Sequence, residues 1–518
     1  MRYSGKHTKK GSITVFAAIS ILLIASVLFV LLEAGRYPMM EKRCQENMDA
    51  AAESVFAGYD CALWEKYHLL VRDLGALADD VDISEVEELV YKVTEDCGKP
   101  RGKDVEKMWT TSFLCGQPVE TTVDKYMLVT DYEGEVYQSL ISSYMKESLA
   151  YEAAMAIKEL YTSVEEKEDV DVDMAVQNAR SQIQHAQQAE LEKREQKKKE
   201  AKERGEEYVE EPPIQPFRGE NPLTLLAELK TKGILSLVVL DVNQVSNEEI
   251  DLQERLSNRE LEKGMDVWQS KGDVYSQMLC NQYYLTYFEN YLEPAESGGL
   301  LYPCEYMICG KKSDRENLTG VVERILLMRE GCNMAYLMTD AQKQAEAATT
   351  AAALAAVTAN PVVVEAVKYG VLAAWAFVES VLDVRTLLAG GKIPVIKTAA
   401  EWKSQLGSFA AQIRSFGQAE QSGRGLSYDQ YLGAMLYMQE SKKLAFRAMD
   451  IQELYMRSLE NKENFRMDRM MVSCDISGVF VYRPFFANLS VLLDGKTNEL
   501  WQQSCSSSYS YLHSNDAE

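Results

Sequence analysis

SITVFAAISILLIASVLFVLL, Ser12 to Leu32, is the stretch from which the rest of the chain is read. Its 21 residues carry no charge. At ~1.5 Å rise per residue, a helix of this length covers roughly 31 Å, the thickness of a bilayer's hydrocarbon core. Arg2, Lys6, Lys9 and Lys10 precede it without an acid, whereas Glu33, Arg36, Glu41, Lys42 and Arg43 follow as a mixed set. Basic residues stay on the cytoplasmic side of a span. Residues 1–11 therefore read as a basic cytoplasmic leader, 12–32 as a single transmembrane helix, and the bulk of the chain from 33 onward as extracytoplasmic. The competing reading is a cleaved secretory signal. Against it, the apolar run exceeds the usual ~7–15 residues of such a signal. Leu32-Glu33-Ala34 is also a poor small-residue cleavage site.

The chain has 518 residues and a net charge of −24. An acidic exterior argues against nucleic acid as a partner and against charge-driven docking on anionic lipid. Hydrophobic content of 46% is enough for folded cores. Ten cysteines are too sparse for a disulfide scaffold, and four scattered histidines offer no zinc-ligand spacing.

Working outward, Ala34 to Val55 continues the first helix, with a kink expected at Pro38 and an end at Gly58. Glu65 to Val93 reads as one or two short helices. Val119, Thr121, Val123, Tyr126, Leu128 and Thr130 alternate as an extended segment, and Val136 to Val164 returns to helix, with Leu149, Ala153, Ala156 and Leu160 as its apolar stripe. Sixteen of the 22 residues from Glu190 to Glu211 are charged, so this arm cannot bury a face. Pro212, Pro213, Pro216 and Pro222 follow as a linker. The alternation of Asp169, Asp171 and Asp173 lacks the glycine and distal glutamate of a calcium loop and reads as a solvated acidic run.

Asn221-Pro222 opens the second half as a helix start. The Gly264–Leu292 segment is an aromatic-rich helix, and Asn317–Met338 an amphipathic one. Ala345 to Leu388 is the second most apolar region, split at Asn360-Pro361 and stopped at Gly390-Gly391. In its second helix, Glu365, Lys368, Glu379 and Asp383 share one narrow polar stripe on an otherwise apolar surface, the pattern of a buried helix. Burial in protein is expected over burial in lipid, because those four charges are costly at bilayer depth. Trp402–Phe416 and Tyr428–Phe465 read as further helices, and Met471–Leu493 as β-rich. Neither Val119–Thr130 nor Met471–Phe486 has a strand partner nearby in the chain, so the two are expected to pair in one sheet joining two lobes. The expected fold class is mainly α with a small antiparallel β element (α+β). The expected division is 33–164 as a juxtamembrane helix and first α+β lobe, 165–222 as the charged arm and linker, and 223–518 as a mainly helical lobe with terminal strands.

No phosphate-cradling loop, H-E-x-x-H or G-x-S-x-G is present. The expectation is no enzyme, with no catalytic, cofactor-binding or metal residues and no cofactor. Cys304 and Cys309, the only cysteines within six residues of each other, are the candidate short-range disulfide outside the cytoplasm. The alternative is that all ten cysteines are small buried hydrophobes. Cys44 and Cys61 are poor partners for each other: on one continuous helix they would stand about 25 Å apart.

GSITVF, LLEAGRYP and NMDAAAESVFAGYD resemble the N-terminus of TadE/TadG-like pseudopilins of tight-adherence pili. Over nearly the whole chain, ESVFAGYDCALWEKY, KYMLVTDYEGEVYQSLISSYMK, NPLTLLAELKTKGILSLVV, EYMICGKKSDRENL, WAFVESVLDVRTLLAGGKIPVIK and GLSYDQYLGAML resemble an uncharacterised family of Gram-positive membrane-anchored proteins, often encoded with tight-adherence pilus components. The resemblance implies place and company: a membrane-anchored surface protein, a minor pseudopilin-like or accessory component of a pilus-like assembly, acting through protein partners, with its oligomeric state open. The alternative is an extracytoplasmic ligand-binding or sensing module with no pilus role. Lys9-Lys10-Gly11 at the membrane surface makes Gly11/Ser12 the candidate leader cleavage site of a prepilin-type peptidase. Phe16 departs from the pattern of type IV pilins, which carry Glu there; an uncut signal anchor is the alternative.

Overall fold

The computed structural model describes residues 10–75, 81–98, 114, 116–147, 171–204, 217, 219–266, 274–296, 298–358, 360–415, 424–482, 484 and 501–512. The basic leader up to residue 9, the stripe from Leu149 to Leu160, Asp169, and Pro212, Pro213 and Pro216 of the linker lie outside these residues. The architecture is mainly helical with a small antiparallel sheet. The chain divides into two units, each discontinuous in sequence: residues 1–143, 260–271 and 464–518 form one, and 144–259 and 272–463 the other. The expected linear division placed its boundary in 165–222, whereas these units each draw on separated stretches of the chain. The interleaving has a physical cause. The late strands find their partners among early residues, so both ends of the chain belong to one unit.

In the first unit, α1 (Lys10–Phe56) is a single helix of 47 residues that runs through Pro38. The loop after it caps α2 (Cys61–Tyr67), where the Asp60 carboxylate accepts the Ala62 and Leu63 amides. β1 (Arg72–Asp73), α3 (Ser84–Gly98), β2 (Gln117–Leu128) and the part of α4 (Glu135–Glu147) up to Ser143 follow. β3 (Met470–Tyr482) and β4 (Trp501–Ser510) close the unit. β3 is the central strand. It pairs antiparallel with β2, with Tyr126 opposite Cys474, and on its other edge with β4 and β1. The two extended segments singled out in the sequence therefore do share a sheet, but the sheet lies inside one unit and does not join two lobes. Met48, Ala51, Ala52, Val55, Leu128, Ile476 and Phe480 form the core between helix and sheet.

The second unit is built around a long buried helix. Its elements are α5 (Val172–Arg204), α6 (Pro222–Lys230), α7 (Ile234–Val238), α8 (Val274–Tyr287), α9 (Pro303–Cys309), α10 (Asp314–Thr339), α11 (Ala341–Leu354), α12 (Pro361–Leu388), α13 (Phe409–Arg414), α14 (Tyr428–Tyr437) and α15 (Ser441–Arg457). The Asn-Pro starts behave as their chemistry dictates. Asn221 and Asn360 each accept the second helical amide on the side chain, and Pro222 and Pro361 fill a position whose missing N–H costs nothing. α12 packs against α5, α10 and α11, and nearly every residue from Gly370 to Leu388 is buried. Among the described residues, 402–415 holds only the short α13, and 428–465 breaks into α14 and α15 with Ser441 opening the second.

Candidate functional site

The N-terminal helix α1 has two environments. Ile13, Phe16, Ile19, Leu22, Leu23 and most large side chains through Leu32 are more than half exposed. From Glu33 the surroundings change: Glu33, Arg36, Met40, Cys44, Asn47, Met48, Ala51, Ala52 and Val55 are buried at helical spacing. At the switch, Arg36 Nη1 donates to Glu33 Oε1 at 2.6 Å, an i,i+3 pair that neutralises both buried charges. The buried half is stitched to β4. Tyr37 donates its hydroxyl to Gln503 (2.8 Å), Gln45 donates to the Ser506 carbonyl (2.8 Å) and Ser507 donates to Asp49 (2.7 Å). Phe56 stacks on Tyr509 at 4.7 Å. Cys44 and Cys505 are joined by a disulfide across 461 residues. Gly11 and Ser12 lie in the first turn of the helix backbone.

That bridge replaces the expected Cys304–Cys309 pair, which does not form. Both cysteines are free thiols on α9. They are five residues apart on the helix and so point to different sides. Cys304 is fully buried and its Sγ lies 3.4 Å from the Phe288 carbonyl. Sequence reasoning missed Cys44–Cys505 because only the pairing of β4 beside α1 brings them together.

In the second unit the polar stripe of α12 separates into two environments. Glu365 is exposed and accepts from Lys368 at 3.1 Å. Two turns before the end of the helix, Glu379 and Asp383 are 0% exposed and face Arg329 of α10 and Lys397 of the following loop, both about as buried. Arg329 Nε (3.0 Å) and Asn333 Nδ2 (3.1 Å) donate to Asp383 Oδ2. Lys397 Nζ lies 2.5 Å from Asp383 Oδ1 and also donates to Glu379 Oε1. The second oxygen of Glu379 accepts the Ser404 amide at 2.7 Å, and the Lys403 amide reaches Oε1 at 3.1 Å. Burial pushes the Asp383 carboxyl up, but Arg329 and Lys397 outweigh it and hold the group below the ordinary carboxylate range. Burial likewise pushes the Arg329 guanidinium down, and Asp383 more than restores it. Trp375 and Trp402 wall the cluster, with the Trp375 indole N–H donating to Ser404 Oγ at 2.9 Å. The sequence marked Glu379 and Asp383; it carried no signal for Arg329, Asn333 or Lys397, which converge only in the fold.

Two more buried carboxyls lie around α9. Glu305 Oε1 accepts the Tyr428 hydroxyl (2.7 Å) and the Tyr291 amide (2.9 Å), and burial raises its pKa to about 7 against those bonds. Asp450 accepts the Leu256 amide and the Tyr306 hydroxyl, and burial raises it to about 6. A cleft of about 940 Å³ opens beside the end of α12, with Leu382, Leu388, Val238 and Tyr291 on its apolar side and Arg385 and Lys403 on its polar one. Arg385 donates to the carbonyls of Leu237 and Ile413, and burial lowers its pKa to about 10.

A family described as a family of unknown function, DUF5702, matches residues 215–481. No curated protein and no solved structure matches the chain.

Proposed function

The chain belongs to the DUF5702 family, which carries no assigned activity, and we propose from its anchor that it is a membrane-anchored surface protein working through protein–protein contacts, as a minor pseudopilin-like or accessory component of a tight-adherence pilus-like assembly. One observation carries this reading. A single 47-residue helix leaves an apolar half uncovered and lays its other half on an antiparallel sheet, where a disulfide fastens it. The uncovered half matches a bilayer in length and lacks charge. The covered half makes the helix part of the same packed core as the sheet. The N-terminus would be cytoplasmic and the bulk of the chain outside. Crosslinking in membranes that assemble the pilus, followed by recovery of this chain, tests the proposal. Pilus or pilus-assembly subunits are expected among the products, and recovery of this chain with none of them overturns it.

The second reading, an extracytoplasmic ligand-binding module, draws on the cleft of about 940 Å³, which is within the size range of small-molecule sites. Deleting the chain separates the two. Loss of surface filaments favours the assembly role, and intact filaments favour the module.

A further inference from the structure

We propose that Lys397 and Asp383 condense spontaneously into an intramolecular amide, an isopeptide cross-link that ties the Ile393–Lys403 loop to α12 inside the second unit. The geometry supplies each part that amide formation needs. The nucleophile is Lys397 Nζ, held 2.5 Å from Asp383 Oδ1. The electrophile is the Asp383 carboxyl carbon. Its other oxygen, Oδ2, already accepts from Arg329 Nε at 3.0 Å and Asn333 Nδ2 at 3.1 Å. Two donors, one of them charged, thus point at the oxygen on which negative charge develops when the carbon is attacked. Glu379 accepts from Lys397 Nζ and is the proton carrier.

The choice of Asp383 over Glu379 as the reacting acid follows from their partners. Main-chain N–H groups of Lys403 and Ser404 donate to both Glu379 oxygens and fix that carboxylate in place. On Asp383 the donors gather on one oxygen and leave the other facing the amine.

The step balances as follows. The resting groups are an ammonium and two carboxylates. One ammonium proton passes through Glu379 to Asp383 Oδ1, which leaves a neutral amine beside a neutral acid. Nζ attacks Cγ and the Nζ–Cγ bond forms, with the oxyanion on Oδ2. Glu379 then takes a second proton from Nζ and delivers it to Oδ1, the Cγ–Oδ1 bond breaks, and water leaves. The amide keeps one N–H, Glu379 ends as it began, and nothing is oxidised or reduced. Arg329 and Glu379 remain as the opposite charges of the cluster, so the core stays neutral overall. Two features favour the product. The groups are at most 1% exposed, so water expelled from the site does not readily return to hydrolyse the bond. Condensation also removes one buried ion pair, whose desolvation is a standing cost. The fold supplies proximity that a bimolecular reaction would lack.

Tryptic mapping of the full chain extracted from membranes reads the cross-link directly. Expected is one branched peptide joining Tyr369–Arg385 to Ile393–Lys403, lighter than its two parts by one water, with no cleavage after Lys397. Asp383→Asn is expected to give the same branched product by releasing ammonia, since the amide formed is identical. Glu379→Gln is expected to give the two peptides unjoined in a chain whose helical circular dichroism is retained. Should that variant fail to fold, the wild-type and Asp383→Asn maps decide alone. Separate, unmodified peptides from the wild-type chain overturn the proposal, as does a branch that fragmentation places on Glu379.

Discussion

Glu305 is buried with both of its donors on Oε1, while Oε2 accepts nothing among the described residues. That is the environment of a neutral acid with its proton on Oε2. Its pKa in the folded chain, about 7, lies above the ordinary 4.5. The native state therefore binds the proton more tightly than the unfolded one. The stabilisation is fully present below about pH 4.5 and is lost as pH rises through about 7, an effect on the order of 3 kcal/mol. Thermal unfolding of the wild-type chain is expected to shift downward between about pH 5 and about pH 8. Glu305→Gln, neutral at every pH, is expected to flatten that slope. Glu330, which burial also raises to about 7, leaves part of it in place. A variant with the wild-type slope would contradict the assignment of the proton. At the same scale, Cys44→Ser removes the only bridge seen among the described residues. It is expected to lower stability by about 2–5 kcal/mol. Non-reduced peptide maps should show Cys44 joined to Cys505, and Cys304 and Cys309 as free thiols.

Among the elements, α12 sets the organisation of the second unit, and its most extensive contact is with α5. The approach depends on Gly370. A β-carbon there would stand 2.4 Å from the Ala179 Cβ and 3.3 Å from the Ala175 carbonyl. Neither is the far end of a flexible side chain, so the helices would have to part. Gly370→Val is expected to destabilise the fold by about 1–3 kcal/mol, read as a lower denaturant midpoint in urea. An unchanged midpoint would mean that α5 is not held where it lies. The charged run in α5 gives this contact its place. Val172, Ala175, Val176 and Ala179 are the buried residues of that helix, so its first turns pack and the charged residues that follow are left to solvent.

For the molecule as a whole, the decisive question is which side of a bilayer each part occupies. Cys61, just past the end of α1, is an exposed free thiol. In intact cells a membrane-impermeant maleimide is expected to label it; protection until the membrane is opened would reverse the orientation argued from Lys6, Lys9 and Lys10. Leu23→Arg places a charge in the middle of the uncovered apolar stretch, at an insertion cost of about 2.5–3.5 kcal/mol. The variant is expected to appear in the carbonate-soluble fraction in part, whereas an apolar replacement such as Leu23→Ile stays with the membrane.

The local chemistry of the chain was legible residue by residue. An uncharged run of 21 residues, Asn-Pro helix starts at 221 and 360, and alternation at Val119–Thr130 and Met471 onward each act over a few neighbours, so composition and spacing determine them. The pairing of the two extended segments was also legible, because a strand without a partner leaves its backbone groups unsatisfied. What only the tertiary structure decided are the encounters between residues far apart in the chain. Cys44 meets Cys505 because β4 lies beside α1, and a choice based on nearness in sequence picked Cys304 and Cys309 instead. The two units interleave along the chain because the sheet draws residues from both ends of it. Arg329 and Asn333 from α10 and Lys397 from the loop after α12 gather on Glu379 and Asp383. No periodicity records such a meeting, since the burial that selects each partner exists only once the core has closed around it.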